Sequence, residues 1–212
     1  MRKYLRGLAW TVGIIAAVIG ISRATFLRWW KVPTDDPALA ASMAPNVEAG
    51  DILLLIRGKP KLGDLMRCAD PDQPGRYVVG RVLAEAGDKI ELTNDDVVVN
   101  GRKSLREMAC QNSSYKMTNP LTGTEVDLYC TIEALQGHKH MRVADNKAPQ
   151  VTLRRHEVSE GNVFLVSDNR AFPLDSREYG AVPKSSCREM VFFRIVGPKG
   201  WGDADSRLTY IR

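Results

Sequence analysis

Residues 50–60 read GDILLLIRGKP, in which a short apolar run lies between Gly-Asp and Arg-Gly-Lys-Pro. A short apolar run between turn-forming residues is typical of a buried β-strand. The run at residues 97–99 is followed by Asn100-Gly101, the dipeptide that most favours a tight β-hairpin. Further β-rich runs lie at residues 64–68, 76–84, 89–92, 163–166 and 190–196. The sequence therefore predicts a mostly β protein built from antiparallel sheets.

The run of strand signals is interrupted by a more polar, less periodic stretch at residues 102–160. We expect this stretch to be an insertion or cap subdomain between two parts of one β domain, residues 32–101 and 161–212. Helical periodicity is weak, and within the folded part only residues 104–108 and 132–136 are candidates for short helices.

The first 31 residues have a different character. A basic hexapeptide, MRKYLR, precedes residues 7–21, which carry no charge. Such a layout predicts one N-terminal transmembrane helix, with Trp29 and Trp30 at the membrane interface. A cleaved secretory signal peptide and a buried core helix are the alternatives. Basic residues lie on both sides of the apolar run, so the positive-inside rule alone leaves its orientation open.

Composition excludes several classes of function. The chain has 212 residues, 44% hydrophobic and 26% charged, so it is long and apolar enough to form a globular core. Its net charge of +5 suits contact with anionic lipid, but without a basic run it does not indicate nucleic-acid binding. The sequence contains no GxxxxGK[ST], GxGxxG or GxSxG motif. His138 and His140 lack a third ligand at metal spacing, so neither a metal nor a cofactor is expected.

The four cysteines do not form a CxxC pair. If the domain is exported, a disulfide is permitted, and Cys110 with Cys130 is the best candidate because both flank one polar segment. Four free thiols in a reducing compartment are the alternative.

Several short motifs occur in a fixed order along the chain. They are Ser42-Met43-Ala44-Pro45, Gly50-Asp51, Arg81-Val82, Gly87-Asp88, Asp168-Asn169-Arg170 and Asp175-Ser176-Arg177, the last followed by Glu-Tyr-Gly-Ala-Val-Pro. Each of the first motifs is weak alone, but together and in this order the set resembles the type I signal peptidases. These are membrane-anchored serine endopeptidases, peptidase family S26, that remove signal peptides from exported proteins.

The resemblance implies a fold, a location and a set of roles. The fold would be the antiparallel β-sheet fold of signal peptidases, anchored by a single membrane pass, with the β domain on the extracytoplasmic side. Ser42 matches the position of the nucleophile, and Met43, Val78 and Val79 match positions that contact substrate. The residues that would brace the site are Asp168, Asn169, Arg170, Asp175, Ser176 and Arg177.

The chain departs from the family pattern where catalysis needs it most. The lysine that acts as general base in the family corresponds here to Gly80, and the hydroxyl that helps to stabilise the oxyanion corresponds to Ala40. The serine that orients the lysine corresponds to Pro173. A serine hydroxyl is a weak nucleophile without a neighbouring base.

Three functions remain open at this point, one of them a purely structural envelope protein that uses neither a binding groove nor Ser42. Another is a catalytically impaired protein that binds signal peptides or other exported polypeptides beside membrane lipid, with Asp168, Arg170, Asp175 and Arg177 forming ion pairs that hold loops together. The third is an active, divergent signal peptidase in which Ser42 uses a substitute base. Lys89, Lys103 and His156 are the candidates for that base.

Overall fold

The computed structural model describes residues 2–93, 96–145 and 154–211, and residues 146–153 of the expected insertion lie outside this part. Three α-helices are present: α1 (Arg2–Thr25), α2 (Pro37–Met43) and α3 (Ser176–Tyr179). The first seven strands are β1 (Leu27–Lys31), β2 (Ile52–Arg57), β3 (Leu65–Ala69), β4 (Tyr77–Glu85), β5 (Lys89–Leu92), β6 (Val97–Val99) and β7 (Arg102–Lys103). The others are β8 (Leu105–Thr118), β9 (Glu125–Leu135), β10 (His138–Ala144), β11 (Arg154–Glu157), β12 (Asn162–Val166), β13 (Val182–Pro183), β14 (Cys187–Val196) and β15 (Arg207–Tyr210).

The strands form three sheets, and every strand pair within them is antiparallel. The main sheet has the order β1-β2-β14-β3-β4-β12-β13, with β15 added beside β14. A four-stranded sheet has the order β11-β5-β6-β7, and a three-stranded sheet has the order β10-β9-β8. The prediction of a mostly antiparallel β protein is confirmed.

The region expected to be an insertion contains the whole three-stranded sheet. Its first and last described strands, β7 and β11, belong instead to the four-stranded sheet. The short helices expected at residues 104–108 and 132–136 are wrong, because these segments pair with each other in β8 and β9, with Leu105 opposite Ala134.

Helix α2 is short, and its ends follow from its sequence. Asp36 caps its N-terminus by accepting a hydrogen bond from the Leu39 backbone N–H at 3.1 Å, and Pro37 suits the first turn. Pro45 follows the last turn and cannot continue the helix. Leu39 and Met43, four residues apart, share one face of the helix and pack on Leu53, Leu55 and Val79 of the main sheet.

The N-terminal segment forms helix α1, followed directly by strand β1. Among the helices of the described residues, none combines the length and the apolar character needed to cross a bilayer. The two tryptophans expected at a membrane interface lie in β1 and pair with Leu54 and Leu53 of β2. Trp30 packs against the core beside α2, whereas Trp29 remains 59% exposed.

Two disulfides each join two neighbouring strands of one sheet. Cys110 and Cys130 form the expected bond, which joins β8 to β9. The other bond joins Cys68 and Cys187, which lie opposite each other on β3 and β14 inside the core. The sequence does not single out this bond, because its partners are 119 residues apart and no shared local segment links them.

Candidate functional site

Ser42 lies in the last turn of α2, on the side of the helix that faces the protein interior. The residue is fully buried. Its Oγ donates a hydrogen bond to the Leu39 carbonyl oxygen at 2.8 Å, and this is the one bond its side chain makes among the described residues. The hydroxyl therefore forms its hydrogen bond within its own helix. Among the described residues it contacts no side chain that could accept its proton as a general base.

The general-base position, Gly80, lies in the middle of β4 opposite Met66 of β3. A Cβ atom built on Gly80 would lie 2.8 Å from the Cβ of Leu165 and 3.5 Å from the Val166 nitrogen. The first distance is well inside van der Waals contact, and the atom concerned is fixed close to the backbone of β12. The chain has glycine in place of the family's lysine at this position. The space that the first side-chain atom would need is occupied by Leu165 of the neighbouring strand, β12.

The substitute bases considered from the sequence are held elsewhere. Lys103 forms an exposed ion pair with Asp96 at 2.8 Å. The His156 ring packs against Phe164 with 5.1 Å between ring centroids, and Lys89 is exposed on β5. All three belong to the four-stranded sheet or its edges, and no described contact joins any of them to Ser42.

The residues expected to contact substrate are all buried in the core. Met43 is fully buried, and Val78 and Val79 are each 1% exposed. Val79 packs beneath α2, while Val78 packs on the opposite side of β4 with Cys68 and Cys187. Neighbouring residues of a strand point to opposite faces, so these two valines cannot line one surface groove.

The bracing residues, in contrast, form a dense buried network. Arg81 donates to both carboxylate oxygens of Asp168, from Nε at 2.9 Å and from Nη2 at 2.8 Å, and its Nη1 donates to the Gly63 carbonyl oxygen. Asn46 donates to the same carboxylate at 2.6 Å. Burial opposes ionisation of Asp168, but the charge and hydrogen bonds of Arg81 outweigh it, so the pKa of Asp168 is lowered. The network ties β4 to the loop after β12.

A second buried group joins this network from the three-stranded sheet. Glu133 forms an ion pair with Arg170 and accepts a hydrogen bond from Ser104 Oγ at 2.8 Å. His140 Nε2 lies 3.2 Å from Glu133 Oε2 and 3.7 Å from Asp168 Oδ1, without a hydrogen bond of good geometry. Burial and then the charge of Arg81 lower the pKa of His140. We call Arg81, Glu133, His140, Asp168 and Arg170 the buried ionic cluster. Sequence reasoning missed Glu133 and weighed His140 only as a metal ligand.

Asp175, Ser176 and Arg177 brace their loop locally. Asp175 accepts hydrogen bonds from the Ser167 backbone N–H at 2.7 Å and from the Arg177 backbone and guanidinium. Ser176 Oγ accepts from the Leu165 N–H at 3.0 Å. Arg177 thus pairs with its own loop, whereas Asp168 and Arg170 reach other strands.

Asn169 connects the nucleophile helix to this network. Its backbone N–H donates to the Ser42 carbonyl oxygen at 2.9 Å, and its Nδ2 donates to the Ala41 carbonyl oxygen at 2.8 Å. Helix C-terminal carbonyl groups lack partners inside the helix, so Asn169 satisfies two of them and fixes the end of α2.

The remaining catalytic positions offer no replacement chemistry. Ala40 and Pro173 carry no side-chain hydrogen-bond donor, so neither can assist an oxyanion or orient a base. Across the described ranges, no cluster of three or more His, Cys, Asp or Glu side chains is arranged to hold a metal ion.

Comparison with known proteins identifies the family of this chain. The profile of the family described as "Signal peptidase, peptidase S26" matches residues 5–196. Signal peptidase I of Bacillus caldolyticus is 24% identical over 197 residues, which covers 91% of this chain and 92% of the relative. Signal peptidase IB of Staphylococcus aureus is 28% identical over 117 residues, covering 55% of this chain. The match spans about half of that relative, 52% of its length.

The fold and the order of these motifs define a β protein of the signal-peptidase class. The chain belongs to the peptidase S26 family of signal peptidases.

Proposed function

We propose that this protein binds extended polypeptides beside a membrane and does not cleave them. The observation that carries the proposal is the state of Gly80, where the start of any side chain would meet the Leu165 Cβ at 2.8 Å. The Ser42 hydroxyl, buried and donating to the Leu39 carbonyl oxygen, supports the same conclusion. A serine peptidase without a base and without an exposed nucleophile has neither partner of the proton transfer that acylation needs.

The expected loss of activity is large. A positioned general base contributes about 10²–10⁴ in rate, and one oxyanion donor contributes about 10²–10³. Because residues that act together are not additive, the combined loss is smaller than the product of these factors. Even the loss of the base alone would leave a very slow peptidase.

We further propose that the protein works on the extracytoplasmic side of a membrane. Two disulfides, one of them in the core, suit an oxidising compartment. Helix α1 exposes a set of large apolar side chains that suit contact with lipid. These side chains are Trp10, Val12, Ile14, Ile15, Val18 and Ile19.

The test compares the full chain with its Ser42→Ala variant in detergent, using a preprotein whose cleavage site carries small residues. We expect both proteins to bind a labelled signal peptide with equal affinity and to release no cleaved product. Cleavage by the natural protein that disappears in Ser42→Ala would overturn the proposal and favour an active peptidase with a substitute base.

A repair variant tests whether Gly80 is the cause. Gly80→Lys alone should stay inactive, because the new Cβ meets Leu165. Gly80→Lys together with Leu165→Ala, Ala40→Ser and Pro173→Ser removes that contact and restores each missing group. Activity in the fourfold variant only would show that the scaffold can still catalyse when the missing groups return.

A further inference from the structure

An open cleft near Ser42 lies on the outer side of α2, between this helix and the end of β8. Its volume is about 540 Å³. Ala40, Ala41 and Ala44 form the helical wall, and residues 115–118 of β8 form the opposite wall. Ser42 does not line it, since its side chain is on the inner side of the helix.

The β8 wall is the edge of a strand. Residues 115–118 are consecutive, and consecutive residues of a strand point to opposite faces, so a cleft that touches all four runs along the strand edge. In the three-stranded sheet β8 is outermost, and its only strand partner among the described residues is β9. An outer edge presents backbone N–H and C=O groups that a further strand can pair with.

We propose that this cleft binds an uncharged, extended polypeptide segment, which adds to β8 as a fourth strand. The inference rests on the proposed function and locates its binding site. The exposed edge of β8 indicates the kind of occupant. The backbone N–H and C=O groups of an edge strand pair with a polypeptide backbone in extended conformation.

The two charged side chains that line the cleft, Lys116 and Glu48, already have polar partners, so neither calls for an opposite charge on the occupant. Lys116 Nζ lies 3.2 Å from Glu125 and 3.9 Å from Asp127. Glu48 accepts a hydrogen bond from the Tyr115 hydroxyl at 3.0 Å.

The helical wall favours small or aliphatic side chains on the occupant. The side chains of its three alanines are methyl groups. They leave room beside the helix and offer the occupant's side chains no hydrogen-bond partner. Apolar side chains of a bound strand would gain by burial there.

Asn169 holds the two walls in place. Its Nδ2 donates to the Ala41 carbonyl oxygen at 2.8 Å and lies 3.2 Å from the Met117 sulfur of β8. The same residue belongs to the Asp-Asn-Arg motif that flanks the buried ionic cluster. The bracing residues thus shape a preformed cleft, a role that needs no catalysis, and preformed sites lose less affinity to ordering on binding.

The test measures binding of a fluorescent peptide with an uncharged Ala/Leu core to the full chain. A second peptide carries N-methyl groups at alternate core residues, which removes the donors that strand addition uses. Losing two or more backbone hydrogen bonds should weaken binding about tenfold or more. Ala49→Trp fills the cleft from a half-buried position and should weaken binding of the unmodified peptide by a similar factor. Ala86→Trp, half-buried in a turn outside the cleft lining, is the matched control and should leave binding unchanged.

The outcomes separate this inference from the proposed function. Uncut binding that neither Ala49→Trp nor N-methylation weakens would overturn the β8 site and leave the proposed function standing. Cleavage of the peptide would overturn the proposed function itself, and absence of binding would overturn both. A chain that dimerises, and becomes monomeric in Ala49→Trp, would assign the edge to a second copy and reject the polypeptide occupant.

Discussion

The buried ionic cluster and the catalytic positions lie side by side, yet they differ in how completely they keep the family's pattern. In the cluster, Arg81 and Asp168 form a two-point ion pair in the interior, and Arg170 is paired with Glu133. At the catalytic positions, Gly80 is covered by Leu165 and the Ser42 hydroxyl is engaged within its helix.

This difference separates two roles that an active enzyme combines. His140 Nε2 and two guanidinium nitrogens of Arg170 have no hydrogen-bond partner among the described residues. Ion pairs in the interior cost desolvation and persist only with good geometry, as in the two-point Arg81–Asp168 pair, so we infer that this pair has a structural role. That role is to fix the end of α2 and its distance from β8 through Asn169. At the catalytic positions the contacts are local: Gly80 leaves room for Leu165, and Ser42 bonds within its own helix.

Breaking the cluster should produce the largest effect. Arg81→Met leaves the Asp168 carboxylate buried without its main partner, so we expect a loss of about 3–5 kcal/mol in the free energy of unfolding. Urea denaturation followed by circular dichroism measures it. Arg155→Met, which removes an exposed ion pair with Glu91, is the control and should change stability little. Equal, small losses in both variants would show that the cluster does not brace the fold.

Acid should weaken the same cluster. The pKa values of Asp168, Glu133 and Asp175 are lowered because arginine partners outweigh the effect of burial. A carboxylate with a lowered folded pKa contributes stability above its unfolded pKa, near 4, and that stability is lost as the pH falls further. The lowered pKa of His140 acts in the same direction and begins the loss below about pH 6.5.

Two other carboxyl groups oppose this trend. Burial raises the pKa of Asp51 and of Asp64, so their protonation on folding favours the folded state as the pH falls. We still expect the denaturation midpoint to fall between pH 7 and pH 3, because the three carboxyl groups with lowered pKa values, together with His140, outweigh the two with raised pKa values. Arg81→Met should show a shallower pH dependence than the natural chain, since it removes the cause of the lowered pKa of Asp168. An unchanged slope would contradict this assignment.

The sequence predicted the strands well, because a strand follows from a local pattern of residues, whereas the interpretation of the catalytic positions stays a prediction. Short apolar runs between turn residues located strands such as β2 and β6, and Gly80 stands where the motif order requires a lysine. The resemblance also singled out Asp168 and Arg170 as bracing residues. What it could not supply were their partners, which come from strands distant in sequence.

The clearest missed signal is the turn at Gln136-Gly137. Both residues have positive φ angles, 50° and 87°, as a two-residue hairpin turn requires. Once that turn is recognised, strand register alone places Glu133 opposite His140 and Thr131 opposite Arg142. Interpreting residues 132–136 as a short helix hid this pairing, and with it two of the five residues of the buried ionic cluster.

The smallest expected effect tests the filled space at Gly80. Gly80→Ala adds one methyl group 2.8 Å from the Leu165 Cβ, and overpacking of this kind costs about 1–3 kcal/mol. At an ordinary strand position the same change would be neutral or stabilising, because alanine loses less backbone entropy on folding than glycine. The sign of the change in unfolding free energy therefore reports whether Leu165 occupies the site of the lost base.

A double-mutant cycle distinguishes that contact from a general weakness of β4. If Leu165 is the obstacle, Gly80→Ala should cost less in a Leu165→Ala background than in the natural chain, and the difference is the coupling energy of the two residues. Additive effects would mean that the added methyl group meets something other than Leu165. A Gly80→Ala variant more stable than the natural chain would show that the space is open. In that case a side chain at position 80 could be accommodated, and the proposed lack of catalysis would draw no support from a filled space there.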